Sequence, residues 1–210
     1  MNKNLIRRTA LIAAAGAASL VLAACGSNDD ASAGHDGHGS SPSASASAAA
    51  SQGKHNAADV AFAQGMIPHH RQAVEMADLA PGRAESAEVK KLASDIKEAQ
   101  DPEIETLSGW LTSWGKVVPA EGAMDHSMHD MGSMGGMMTA EDMDSLKKAS
   151  GKAFDTAFME MMIKHHEGAV EMAKTEKTDG FFPGAKKMAD AIITSQTAEI
   201  SRMNGLLGKN

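Results

Sequence analysis

The chain has 210 residues and a formal net charge of −7, with 16 methionines, one cysteine and no tyrosine. The length allows one compact domain with extensions. The acidic balance argues against nucleic acid as a partner, and a lone cysteine excludes an intrachain disulfide.

The N-terminus has the pattern of an export signal. Lys3, Arg7 and Arg8 precede a short apolar run at residues 11–22, which ends in small residues followed by Cys25. This order is typical of a bacterial lipoprotein signal, although an ordinary secretory signal with an incidental cysteine has similar features. We predict a signal peptide at residues 1–24 and lipid attachment at Cys25. The chain would then be a membrane-anchored lipoprotein at the bacterial cell surface or in another extracytoplasmic compartment.

Residues 25–56 are rich in serine, alanine and glycine and have no apolar periodicity. They are predicted to form a disordered tether between the lipid and a helical domain at residues 57–210. His35 and His38 lie in this tether. They are more typical of solvated linker histidines than of a metal site.

The first predicted helix, at residues 57–82, contains a motif that occurs twice in the chain. Residues 66–77 read MIPHHRQAVEMA, and residues 162–173 read MIKHHEGAVEMA, an offset of 96 positions (162 − 66). Phe62 and Asp59 return in the same register as Phe158 and Asp155. The domain is therefore predicted to contain two copies of one unit.

Helical spacing places the histidines and a methionine of each motif on one face. With about 100° per residue, five side chains lie within roughly 60° of Met66: Phe62, His69, His70, Ala73 and Ala77. Buried methionine is usually core filler, and a single buried histidine usually forms an ordinary hydrogen bond. Four imidazoles on matching faces favour a shared ligand or a shared polar network. Imidazole with thioether suits Cu(I) best, and silver or zinc less well.

The second predicted helix, at residues 86–114, carries a Gln-x-x-Glu-Ile pattern that recurs 96 positions later. We assign four of its residues as groups that orient the metal ligands from behind: Gln100, Glu103, Gln196 and Glu199. In this interpretation the glutamates accept the free N–H of the histidines. The alternative is that these carboxylates lie at the rim of the bundle and contact only water.

The linker at residues 115–139 combines methionine and histidine with glycine. Its methionines have no evident core to fill, so we interpret the segment as an auxiliary metal-capturing loop; low-complexity drift in a tolerant loop is the alternative. The residues concerned are Met124, His126, Met128, His129, Met131, Met134, Met137 and Met138.

Two further helices are predicted at residues 140–178 and 185–207, and no strand pattern is evident. Lys164 in the second motif replaces Pro68, so a proline kink is not essential to the design. The expected fold is all-α: a four-helix bundle built from two repeated αα-hairpins.

The two motifs, with Gln100-x-x-Glu103-Ile104 and the tryptophans Trp110 and Trp114, resemble the domain of unknown function family 305 over residues 57–207. That resemblance implies a ferritin-like bundle and a copper role, since the family includes CopM-type periplasmic proteins linked to copper binding and resistance. Carried over by position, the implied metal ligands are Met66, His69, His70, Met76, Met162, His165, His166 and Met172.

Three functions are compatible with these features. The favoured hypothesis is a protein that sequesters or transfers copper, with Cu(I) as the preferred ion and an unknown transfer partner. The second is a structural or protein-interaction bundle with a buried His/Glu network. A di-metal redox enzyme is the least favoured, because such sites usually need Glu-x-x-His and the chain has none. We therefore expect no enzymatic activity and no catalytic residue.

Overall fold

A computed structural model describes residues 53–121 and 135–209 of the chain. These two ranges contain five helices and no strand: α1 (Ala57–Arg83), α2 (Ala87–Ser113), α3 (Ala140–Lys148), α4 (Gly151–Asp179) and α5 (Pro183–Leu206). None of these helices is long and apolar enough to cross a membrane. The predicted signal peptide, the lipid site at Cys25 and the tether up to residue 52 lie outside the described residues.

Four long helices form two hairpins, as the repeat predicts. Helix α1 packs along α2, α4 packs along α5, and the two hairpins meet through α1 and α4. The predicted all-α bundle is therefore confirmed. Helices α1 and α2 are each helical throughout, although Pro68, Pro81 and Pro102 lie inside them.

The prediction of one helix over residues 140–178 is wrong. The chain is extended at Ala149 and Ser150 and has a positive φ of 60° at Gly151, so α3 and α4 are separate helices. Helix α4 is the counterpart of α1, and α3 lies outside the repeat. Because of the break, α3 lies against α1, where Lys147 pairs with Glu75 at 2.8 Å.

Two aspartates join the ends of α1 and α4 in a reciprocal way. Asp59 accepts hydrogen bonds from the backbone N–H groups of Phe181 and Phe182 at 3.0 and 2.8 Å. Asp155, its counterpart in the repeat, accepts hydrogen bonds from the backbone N–H groups of Glu85 and Ser86 at 3.1 and 2.9 Å. The start of each helix is thereby fixed to the end of the other, so α1 and α4 run antiparallel. A buried carboxylate that accepts two backbone donors has its desolvation largely offset.

At one end of the bundle Asp59 also faces a second buried carboxyl group, that of Glu176. Glu176 is only 1% exposed, and neither of its oxygens has a hydrogen-bond donor among the described residues. Burial, followed by the hydrogen bond and charge of Asp59, raises the pKa of Glu176 to about 8, although Lys186 opposes the shift.

Burial raises the pKa of Asp59, but hydrogen bonds from Asn56, Phe182, Glu176 and Phe181 outweigh this effect and lower it overall. The pair therefore shares one proton near neutral pH, held by Glu176. The counterpart of Glu176 in the first repeat is Ala80, so the other end of the bundle lacks this pair.

We predict that Glu176→Gln changes how the stability of the fold depends on pH. The folded chain keeps a proton on Glu176 that the unfolded chain releases above the ordinary glutamate pKa of 4.5. This contribution is fully present below about pH 4.5 and is lost as pH rises through about 8, by at most about 1.4 kcal/mol per pH unit. Glutamine mimics the protonated acid and removes that loss. Urea unfolding between pH 4 and pH 9 measures it, with the exposed Glu171→Gln as control. Parallel curves for wild type and Glu176→Gln would contradict the assignment.

Candidate metal centre

The four histidines of the repeated motifs meet in the middle of the bundle. His69, His70 and His166 are completely buried, and His165 is 1% exposed. The rings of His69 and His165, one from each repeat, have centroids 3.7 Å apart at an interplanar angle of 42°. The four side chains therefore lie on the inward helix faces predicted from helical spacing, and α1 and α4 bring the two motifs into direct contact.

The second histidine of each motif is held by a glutamate on the neighbouring helix. His70 Nε2 lies 2.7 Å from Glu103 Oε2, and His166 Nε2 lies 2.6 Å from Glu199 Oε2. The side chains of these glutamates are 21% and 19% exposed, so each carboxylate bridges a buried ring and the solvent. The contact expected from the sequence is present in both repeats; its role in orienting a metal ligand stays a prediction.

These bonds determine which ring nitrogen is free. A neutral imidazole that donates Nε2–H to a carboxylate leaves a lone pair on Nδ1, the form in which histidine binds metals. The Nδ1 atoms of all four histidines lack a hydrogen-bond partner among the described residues, as does Nε2 of His165. His69 Nε2 makes one long contact, 3.4 Å, with the carbonyl oxygen of Gly135.

Burial keeps the central pair of imidazoles uncharged. It lowers the pKa of His69 to about 3, with a further contribution from the neighbouring His70. Burial, and then the repulsion that a protonated His165 would meet from protonated rings of His69, His166 and His70, hold the pKa of His165 well below its usual value. Near neutral pH, protons therefore do not compete for the free nitrogens of this pair, which suits metal binding.

The predicted methionine ligands lie on both sides of the histidines. Met76 and Met162 are completely buried in one apolar cluster with Phe154 and Phe158. Met66 is completely buried in a second cluster, against which the half-buried Met172 packs. Each cluster thus contains one motif methionine from each repeat, as expected when α1 and α4 run antiparallel.

The repeated glutamines are also inside the bundle. Gln100 is 2% exposed and Gln196 is 3% exposed. The side-chain oxygen of each has no partner within residues 53–121 and 135–209. Among the same residues, no group of three or more His, Cys, Asp or Glu side chains is arranged to hold a metal ion. The imidazole nitrogens meet here, and the motif methionines lie in the apolar clusters on either side; imidazole with thioether is a combination that fits a soft cation.

The auxiliary loop is described only at its end. Met124, His126, Met128, His129, Met131 and Met134 lie outside the described residues. Met137 is half-buried, and Met138 is 9% exposed and belongs to the apolar cluster around Met76. The expectation that no methionine of this segment has a core to fill is therefore wrong for Met138.

Sequence reasoning missed three features around the centre. Asp59 and Asp155 carried a signal, since they repeat in register, but the repeat alone gives them no role. Gln72 holds the backbone of Met138 by two hydrogen bonds, and nothing in the sequence indicated that contact. Gly168, the counterpart of Gln72, lies directly against Gly135. The two motifs differ at this position, and such a difference within a repeat can indicate a contact that only one copy makes.

Comparison with known families decides the classification. Residues 59–207 match the model of the family described as "Domain of unknown function (DUF305)". The chain belongs to this family. The resemblance inferred from the motifs is therefore confirmed, while no curated protein matches the chain.

Solved structures from the same family have the same fold. A putative secreted DUF305 protein from Streptomyces coelicolor is 35% identical, with a TM-score of 0.65 over 72% of this chain and 93% of that chain. CopM in the Cu(I)-bound form is 36% identical, with a TM-score of 0.58 over 70% of this chain and 94% of that one. CopM in an Ag-bound form is also 36% identical, with a TM-score of 0.57 over 70% and 93% of the two chains.

We predict that Glu103→Ala destabilises the metal-free fold by about 1–3 kcal/mol, because it leaves the Nε2–H of the buried His70 without an acceptor. Chemical denaturation of metal-free protein measures the loss. Glu105→Ala is the matched control, since Glu105 lies two residues away on the same helix and is exposed. Equal stability of the two variants would show that the His70–Glu103 contact contributes nothing to the fold.

Proposed function

We propose that this protein is an extracytoplasmic copper-binding protein that sequesters or transfers Cu(I), without enzymatic activity of its own. The observation that carries the proposal is the contact between His69 and His165 in the sealed centre of the bundle. Two uncharged imidazoles with free nitrogens, flanked by buried thioethers, form a soft and dry donor set. Water and hard cations are poor competitors for such a set.

The family comparison supports copper as the ion. CopM, a relative of similar fold, has been solved with Cu(I), with Cu(II) and with silver. Silver is a soft monovalent ion like Cu(I), so both suit thioether and imidazole donors. We therefore favour Cu(I) as the bound ion, with silver as a substitute and zinc as a more weakly bound ion. The ligand set is Met66, His69, His70, Met76, Met162, His165, His166 and Met172.

The geometry favours one composite centre over two independent ones. Each repeat supplies one imidazole to the central contact and one motif methionine to each apolar cluster. Neither hairpin alone contains the complete set of donors. A cation held here would therefore also hold the two hairpins together, and binding would stabilise the folded chain.

We infer that the Met/His loop delivers ions to this centre, because described residues on either side of it are attached to α1 near His69. Arg71 donates a hydrogen bond to the carbonyl of Pro119 at 2.7 Å, and His69 contacts the carbonyl of Gly135. The two ends of the loop are thus attached to α1 within two positions of His69. Tethering at both ends raises the effective concentration of the loop thioethers and imidazoles near the buried donors.

A Cu(I) competition titration of the full chain tests the proposal. Changing His69, His70, His165 and His166 to glutamine should weaken tight Cu(I) binding at least about 100-fold, because the nitrogen donors are lost. His55→Gln is the control, since His55 stacks on Trp114 outside the motifs. Unchanged affinity in the fourfold variant would show that the helix faces are not the site.

The same titration separates the loop from the centre. Replacing the loop methionines and histidines of residues 124–134 with leucine and glutamine should lower the number of ions bound and leave the tightest affinity unchanged. The replacement stops at residue 134 because Met138 is part of the core. Loss of all binding in this variant would assign the function to the loop. A wild-type chain that binds no Cu(I) would favour the alternative, a structural bundle with a His/Glu network.

Anchoring at the membrane is part of the proposal and has its own test. Lipid on Cys25 would hold the chain at the membrane surface, because each buried methylene of the acyl chains contributes about 0.8 kcal/mol. Cys25→Ala should therefore abolish the incorporation of radiolabelled palmitate into the protein in the producing bacterium. Lys54→Ala, near the end of the predicted tether, serves as control. A Cys25→Ala chain that takes up as much label as the wild type would exclude a lipid anchor at this residue.

A further inference from the structure

The buried histidines raise a question of access, since none of the four is more than 1% exposed. An ion from solvent cannot contact them unless part of the structure moves. Helices α1 and α4 are held by backbone hydrogen bonds along their length. Residues 135–138, which we name the covering segment, lie outside the helices and directly over His69 and His165.

Contacts with both α1 and α4 hold the covering segment in place. Its glycine end lies against α4, where a Cβ atom on Gly136 would collide with the carbonyl oxygen of Lys164 and with His165. Gly136 also has a φ of 86°, which favours glycine. Its methionine end is fixed by the packing of Met138 in the apolar cluster around Met76 and by the side chain of Gln72. Gln72 donates a hydrogen bond to the Met138 carbonyl at 2.9 Å and accepts one from the Met138 N–H at 2.7 Å.

Two residues that contact the covering segment, Gln72 and Gly168, differ from each other although they occupy equivalent positions of the repeat. Gln72 and Gly168 occupy equivalent positions in the two motifs, so a symmetric bundle would carry the same residue at both. Instead, the buried amide of Gln72 holds one end of the segment, and the missing side chain of Gly168 makes room for Gly135 at the other end. The two-fold symmetry is broken where the chain crosses the histidines.

A cleft of about 650 Å³ runs beside the covering segment. The half-buried methionines Met137, Met161 and Met172 are among the residues that line it. Met161 and Met172 are eleven positions apart on α4 (172 − 161), roughly 16 Å at 1.5 Å per residue. The two side chains therefore do not form one site, and Met172 is a member of the predicted ligand set that borders this cleft.

We propose that the covering segment is a gate over the buried imidazoles and that Gln72 is the latch that keeps it closed. The proposal takes the gated ion to be the soft cation of the proposed function, but the gate itself is defined by access to His69 and His165. Opening requires loss of the two Gln72 hydrogen bonds, of the His69 contact and of the packing of Met138 in the apolar cluster around Met76, while α1 and α4 stay paired. We expect this local opening to be more frequent than unfolding of the bundle, because it leaves the pairing of α1 with α4 intact.

Carbethoxylation of histidine by diethyl pyrocarbonate tests the gate without any metal. The reaction is carried out on the metal-free full chain and is followed for each histidine by mass spectrometry. Gln72→Ala removes the latch, and Gly168→Ala puts a Cβ atom where the Gly135 carbonyl lies. Both variants should raise the modification rates of His69 and His165 about tenfold or more, because the open state becomes more populated. Gln64→Ala is the matched control: Gln64 also bonds a linker carbonyl from α1, that of Val117, but away from the segment.

A second measurement separates gating from loss of packing. Stopped-flow binding and release of Ag(I) should both accelerate in Gln72→Ala, with the dissociation constant changed less than about threefold, since a latch alters barriers more than ligands. Unchanged carbethoxylation in both Gln72→Ala and Gly168→Ala would overturn the gate, as would equal acceleration in Gln64→Ala. If wild-type protein does not bind Ag(I) at all, the proposed function fails, and the carbethoxylation rates still decide whether the gate exists.

Discussion

The contact between α1 and α4 is the constraint on which the rest of the structure depends. It places four imidazoles in the buried centre of the bundle, where the polar atoms of each ring must be accommodated. Glu103 and Glu199 do this for His70 and His166 from the outer helices. Asp59 and Asp155 fix the ends of the two helices and thereby their antiparallel alignment. The hairpins, the clusters and the covering segment are arranged around this contact.

Much of this arrangement could be predicted from the sequence, because it follows from periodicity and repetition. Three-residue and four-residue spacing places His69 and His70 on the same face as Met66, and an offset of 96 positions assigns the same face to the second motif. The same register makes a contact between Glu103 and a histidine one of two interpretations, the other being a carboxylate at the rim of the bundle, and the structure has the contact. A duplicated pattern of this kind can be recognised in the sequence without knowing how the helices pack.

The features that escaped prediction depend on contacts between distant parts of the chain. To predict the break between α3 and α4, one would need to know that Met143 and Leu146 pack in the apolar cluster around Met76. The burial of Met138 depends on Gln72, which lies 66 positions earlier. The proton shared by Asp59 and Glu176 depends on where the end of α4 meets the start of α1. These contacts join residues that are far apart in the sequence, so local sequence patterns do not predict them.

The central pair of histidines also bears on how such a chain arises. Each hairpin holds one half of the pair, with the ring aimed at a partner that it does not itself contain. A single hairpin would therefore need to associate with an identical copy before the two rings could meet. Joining two such hairpins in one polypeptide makes that encounter independent of protein concentration. It also allows positions 72 and 168 to differ, as they do here, which no dimer of identical chains allows.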